Sequence, residues 1–297
     1  MVRSFSISHF FKCKNGIRMS TYDWLPTFLL FGPTGAGKTK FASYLRKYRK
    51  PDGSEYRLEI ADIGRGLFSW DPPPEPNQVF PIASFEELVV YLAGIEERNN
   101  DLILIDDISL LNYKLTMESA QIRQGRDPDT QPDISKLISS SKYNHLNFIP
   151  PQIRDRGIAS EKLRIMLYNL LDMRKIVLFT CGEKLEAEKI VTSLGDKPIF
   201  TGKTYREPNL PGNMPNELPY FVSEVFYMYR RADAKSLTYQ LRFQPDGGMV
   251  ACPKDRSGKM KTLAPNGVIT LDEAGQTFDK IIAALPWPDD MRPTKAC

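Results

Sequence analysis

Histidine, cysteine and long apolar runs are scarce in this 297-residue chain, and each scarcity closes a class of function. Cys13, Cys181, Cys252 and Cys297 form no C-x-x-C pair, and with only His9 and His145 beside them no recognised zinc spacing can be assembled. Four such thiols read as reduced cysteines of a cytoplasmic protein. The longest apolar candidate, Trp24 to Phe31, is interrupted by Pro26 and is about a strand long, so membrane insertion is not expected. A large excess of one charge is also missing. Lys plus Arg at 40 against Asp plus Glu at 36 leaves +4, so any contact with nucleic acid has to be local. What remains, 41% hydrophobic and 26% charged residues, is globular and excludes collagen-like, coiled-coil and wholly disordered chains.

The order of elements predicts an α/β fold. Residues 1–21 read as a flexible basic leader, since Met1 to Arg18 carries Arg3, Lys12, Lys14 and Arg18 with no acid and no continuous apolar segment. Thr27 to Phe31 reads as a buried strand, followed by a Gly-rich turn and a helix from Lys38 to Tyr48 with Phe41, Ala42 and Leu45 at helical spacing. Tyr56 to Ile63 reads as a second strand, and Ser84 with Glu87 as a capping box opening a helix to about Glu97. Leu102 to Ile105, ending in Asp106 and Asp107, and Lys175 to Thr180 have the continuous apolar character of strands buried on both faces. A long polar loop over 112–157, helices over Ser160 to Arg174 and Leu185 to Leu194, and a second loop over 196–219 are expected between and after them. Val222 to Arg230 and Leu237 to Phe243 read as a β-hairpin, Met249 to Cys252 as a further strand, and Leu271 to Leu285 as a closing helix. The expectation is a core over 22–262 with a C-terminal helix and tail over 263–297. Its central sheet is mostly parallel, flanked by helices, with a C-terminal antiparallel extension.

One motif carries chemistry without help from context. Gly32, Pro33, Thr34, Gly35, Ala36, Gly37, Lys38 and Thr39 match G-x-x-x-x-G-K-T between a strand and a helix start. The backbone N–H groups of such a turn converge on a phosphate, and the helix N-terminus adds partial positive charge. Lys38 is expected on the β- and γ-phosphate oxygens of ATP, and Thr39 on Mg²⁺ together with Asp106. Hydrolysis needs a further carboxylate for water, for which Asp62 and Asp107 compete, Asp62 being preferred. Asp107 could instead cap the following helix. Thr180 and Glu183 fall where a polar side chain could sense the γ-phosphate.

Together these residues resemble the RecA/RadA-like P-loop ATPases, especially the short phage-encoded versions linked to single-strand annealing and recombination. The resemblance covers about Trp24 to Gly258 and rests on five segments: Gly32 to Thr39, Asp62-Ile63-Gly64, Ile103 to Asp106, Phe179 to Glu183, and Lys254-Asp255-Arg256-Ser257-Gly258. It departs from the family pattern where Asp62 stands for Glu, and Asp255 and Ser257 for Asn and Phe. The resemblance implies that Lys254 and Arg256 reach the ATP of a neighbouring subunit in a homo-oligomer. It also implies that single-stranded DNA is held by the loops after the magnesium strand and the sensor strand. The first loop carries Lys114, Arg123, Arg126, Lys142, Tyr143, Arg154 and Arg156, the second Lys197, Lys203, Tyr205 and Arg206. The function so implied is an ATP-hydrolysing recombination protein that binds single-stranded DNA as an oligomer. The alternatives are an ATP-switched assembly or loading factor with little turnover and, less favoured, a phosphoryl-transfer enzyme.

Overall fold

The computed structural model describes residues 26–123, 151–190, 199–245 and 253–295, apart from positions 65, 68, 69, 71, 96, 99, 174, 234, 235, 256, 257, 273–275, 286, 288–291 and 293. The basic leader, the expected strand at Met249 to Cys252, and Arg126, Lys142, Tyr143, Lys197 and Arg256 lie outside the described residues. The strands are β1 (Thr27–Phe31), β2 (Tyr48–Arg49), β3 (Leu58–Asp62), β4 (Val79–Pro81), β5 (Leu102–Asp106), β6 (Ile176–Cys181), β7 (Glu183–Ile190), β8 (Ile199–Pro208), β9 (Glu224–Asp233), β10 (Ser236–Arg242), β11 (Lys254–Asp255), β12 (Val268–Leu271) and β13 (Thr294–Lys295). The helices are α1 (Lys38–Ser43), α2 (Phe85–Ala93), α3 (Ile108–Arg123), α4 (Ile153–Asp172), α5 (Met214–Phe221), α6 (Met260–Leu263) and α7 (Gln276–Ala284).

The main sheet runs in the order β12-β10-β9-β1-β6-β5-β3-β4, with β11 also paired to β9. From β9 to β4 every pairing is parallel, whereas β10, β11 and β12 join antiparallel. This is the mostly parallel sheet with antiparallel additions that the sequence predicts. Alternation explains why its strands read as unbroken apolar runs. Leu29, Phe31, Ile103, Ile105, Val177 and Phe179 face α2 to α5, while Phe28, Leu30, Leu102, Leu104, Ile176 and Leu178 face α1, α6 and α7. Both sets are nearly inaccessible, so each face of the sheet buries its own half of the core.

Register lines up the carboxyl ends of the parallel strands, the edge where open α/β sheets bind ligands. Asp62 stands beside Asp106 across β3 and β5, and Phe31 beside Cys181 across β1 and β6. At the other end of β1, Thr27 and Ser223 exchange backbone and hydroxyl hydrogen bonds and fix where β9 begins.

Several expectations are corrected. The stretch 112–157 is not one loop, because α3 continues to Arg123 and α4 begins at Ile153 rather than Ser160. The polar residues of α3 are accommodated by bonding back along their own helix: Thr116 Oγ1 donates to the Asn112 carbonyl and Ser119 Oγ to that of Leu115, each at 2.8 Å. At the start of α4, Asp155 accepts from the Gln152 N–H at 2.8 Å and from Arg123 Nε at 3.1 Å, a cap that also ties α3 to α4. The expected helix from Leu185 is the strand β7, and the second loop contains its antiparallel partner β8 and the helix α5. Cross-strand pairing there overrides a helix-prone Leu-Glu-Ala-Glu-Lys sequence. The helix from Lys38 gives way after Ser43 to a single 3-10 turn, Tyr44–Lys47. Leu271 ends β12 rather than opening the last helix, so the segment read as a helix and tail holds, besides the core-packing α7, an edge strand of the main sheet.

Candidate nucleotide site

The phosphate loop leaves β1 at Gly32, the position where only glycine fits. Its φ is +152°, and a Cβ there would fall 1.9 Å from the Met228 carbonyl oxygen of β9. Gly32 N–H donates to the Cys181 carbonyl at 3.3 Å, which seats the loop on the end of β6 as well. Lys38 opens α1, and its ammonium donates to the carbonyls of Gly32 at 2.9 Å and Pro33 at 3.0 Å. Burial lowers the Lys38 pKa, while Asp107, Asp106 and Glu183 oppose that effect. Among the described residues its hydrogen bonds go to these two neutral carbonyls alone, with acids nearby.

Thr39 lies one residue on and meets Asp106 across the sheet. Its hydroxyl donates to Asp106 Oδ2 at 3.2 Å, over 67 residues of sequence. Thr180, fully buried at the end of β6, donates its hydroxyl to Asp106 Oδ1 and so orients the carboxylate from the other side. Burial raises the Asp106 pKa, with the charges of Asp107 and Asp62 adding to it and the two threonine hydroxyls opposing. Asp62 Oδ1, in the adjacent register position, is buried with no hydrogen-bond partner among the described residues. A side chain at Gly66 would place its Cβ 3.3 Å from Asp106 Oδ2 and 3.9 Å from Thr39 Oγ1, so glycine keeps the space beside them open.

Asp107 is differently placed. Its Oδ1 accepts from the Ser109 N–H at 2.7 Å and from the Ser109 hydroxyl, capping the first turn of α3. The same hydroxyl accepts from Gly182 N–H at 3.0 Å and ties that turn to the end of β6. Glu183 accepts from the Tyr227 hydroxyl at 2.8 Å and pairs with Arg206 at 3.4 Å. Tyr227, which the sequence reading missed, stacks on Tyr229 at 5.3 Å, and burial raises its pKa. Nothing in an alternating strand marks it beforehand. Lys254 is held within its own chain, its ammonium donating to the carbonyls of Pro219 and, at 3.0 Å, Val222.

The structure therefore brings Lys38, Thr39, Asp62, Asp106 and Asp107 together at one edge, with Glu183 adjoining, and leaves Lys254 engaged with the C-terminal turn of α5. Of the expected DNA contacts, Lys114 is anchored to the carbonyls of Ile63 and Ile82, Arg123 to Asp155 and Arg206 to Glu183. Arg154, Arg156 and Lys203 are exposed. Among the described residues no three His, Cys, Asp or Glu side chains cluster as a metal site, and no helix is long and apolar enough to cross a membrane.

No protein-family model matches the chain, and no curated protein matches it. Solved structures do. A KaiC-like protein from the archaeon Pyrococcus horikoshii aligns over 83% of this chain and 89% of its own, at 14% identity and a TM-score of 0.39. The flagellar accessory protein FlaH from Methanocaldococcus jannaschii aligns over 83% and 86%, at 10% identity and a TM-score of 0.33.

Proposed function

We propose that the protein binds ATP with Mg²⁺ and hydrolyses it, as a RecA-like ATPase. The observation that carries this reading is the Thr39–Asp106 hydrogen bond, which assembles a hydroxyl and a carboxylate beside a lysine-bearing phosphate loop. The residues fit the ligands. Gly32 to Thr39 would wrap the phosphates, and Thr39 and Asp106 would hold the ion, whose remaining shell would come from phosphate and water. The bound ion supplies charge neutralisation at the phosphates.

Asp62 is the better candidate for ordering and deprotonating water. Its buried Oδ1 has no hydrogen-bond partner among the described residues, whereas Asp107 Oδ1 already caps α3. Thr180 acts on the ion through Asp106, as a positioning residue. Titration calorimetry of the chain with MgATP and with ATP plus chelator tests the binding, and release of inorganic phosphate tests the reaction. No heat with saturating MgATP would overturn the reading.

The proposal extends to single-stranded DNA, on the support of the exposed Arg154, Arg156 and Lys203, and, by the family resemblance of the sequence alone, to an oligomer with a recombination role. Turnover measured against protein concentration, with and without single-stranded DNA, separates this from an ATP-switched assembly factor. A rate that DNA leaves unchanged at every concentration would leave the nucleotide site standing and remove the DNA role.

A further inference from the structure

We propose that Arg230 is a catalytic arginine supplied by the same chain that holds the nucleotide, with Tyr239 as its positioning residue. The inference rests on the ATPase reading above. β9 pairs with β1 up to Phe31, opposite Tyr227, and then continues to Asp233 alongside the phosphate loop. Phe226 and Met228 lie on the sheet face that packs against α1, and two residues further Arg230 emerges on the same side. Its direct cross-strand partner on β10 is Tyr239, which shares that face.

Both side chains lie against the loop. Arg230 Nη2 is 3.4 Å from where a Gly35 Cβ would stand, and the Tyr239 ring is 3.6 Å from the corresponding point on Gly37. The Arg230 side chain is exposed and makes no hydrogen bond or ion pair among the described residues. By contrast, Arg57, Arg98, Arg123 and Arg164 are each paired with a carboxylate. An unpaired guanidinium beside a phosphate loop has its natural partner in phosphate oxygens. As its direct cross-strand neighbour, itself against Gly37, Tyr239 is placed to restrict the directions Arg230 can take.

In the reaction the water oxygen bonds to the γ-phosphorus as the bond to the β–γ bridging oxygen breaks. ADP departs with that electron pair, and Asp62 takes the water proton. Arg230 transfers nothing; it neutralises charge that grows on the bridging and γ-oxygens, the role of an arginine finger provided in cis. Such a residue makes each subunit competent by itself, unlike the interface pair implied for Lys254 and Arg256.

The test measures hydrolysis by the full chain and its affinities for MgADP and for MgADP with aluminium fluoride. Arg230→Ala is expected to cut turnover by about 1,000-fold. It should leave MgADP affinity within about threefold and abolish the tighter binding of the fluoroaluminate complex, which resembles the transition state. Arg230→Lys should recover part of both, Tyr239→Ala should lose roughly tenfold in turnover, and Tyr239→Phe should keep it. Thermal melts establish that the variants fold. Mixing Lys38→Ala with Arg230→Ala should restore no activity, because one chain must carry both groups. Three results would overturn the proposal: restored activity in the mixture, a native fluoroaluminate preference in Arg230→Ala, or no such preference in a wild-type chain that binds MgADP. Failure of the wild type to bind MgADP would sink the nucleotide reading itself.

Discussion

The carboxyl ends of β3 and β5 and the β7–β8 ribbon both gather charge, yet they treat it in opposite ways. In the ribbon, Lys184 meets Glu207 at 2.9 Å and Arg206 meets Glu183 at 3.4 Å, so the charges largely cancel. At the strand ends, Asp62, Asp106 and Asp107 lie close with like sign beside the Lys38 ammonium, Asp62 Oδ1 has no hydrogen-bond partner among the described residues, and burial raises the Asp106 pKa. A fold gains nothing from the second arrangement without a ligand, which is why uncompensated buried charge points to chemistry and compensated charge to architecture.

Four experiments sharpen that contrast. On the proposed reading, Lys38→Ala removes the cation that would meet the phosphates and should weaken MgATP binding by more than about 100-fold in calorimetry, a loss of some 3 kcal/mol. Asp106→Asn should abolish the Mg²⁺-dependent part of the affinity while raising the melting temperature of the nucleotide-free chain by roughly 2–4 °C. The sign follows from the direction of the shift. A carboxyl whose folded pKa is raised stabilises the fold only while it is protonated, and that contribution is lost as pH rises through the folded value. The gain from Asn should therefore be present near pH 7 and vanish below the ordinary carboxylate range, as melts across that range would reveal.

In the ribbon, Glu207→Gln removes the carboxylate from Lys184, whose ammonium keeps its bond to the Leu210 carbonyl, and should cost about 1 kcal/mol, with nucleotide affinity unchanged. A change in that affinity would mean the ribbon belongs to the site. The smallest effect is expected at the α3–α4 junction. Hydrogen bonds from Arg123 hold the Asp155 carboxyl below its usual range. Stability from this pair is present at neutral pH and lost as pH falls through the lowered value, so wild type and Arg123→Ala should converge on acidification.

The glycine turn between β1 and α1, the mostly parallel character of the sheet and the strands buried on both faces were legible because each depends on local pattern: glycines at fixed spacing, apolar runs, a capping box at Ser84. Elements whose identity depends on a distant partner were not. Glu183 to Ile190 is helix-prone in isolation and becomes a strand because β8 pairs with it, and α4 begins early because Arg123 joins its capping Asp155. Arg230 and Tyr239 are ordinary residues of two alternating strands, and nothing in either segment places them at the loop.

By itself, then, the amino-acid order determined that a lysine and a threonine sit at the mouth of a glycine turn between a buried strand and a helix. Its apolar run ending in an acid also marked Asp106 as their companion; which acid keeps an oxygen without a partner among the described residues, and which basic residues are already engaged, were decided only when the sheet formed. The reason is physical. A motif is a property of neighbouring residues, whereas desolvation, ion pairing and cross-strand register depend on residues brought together from far apart in the chain.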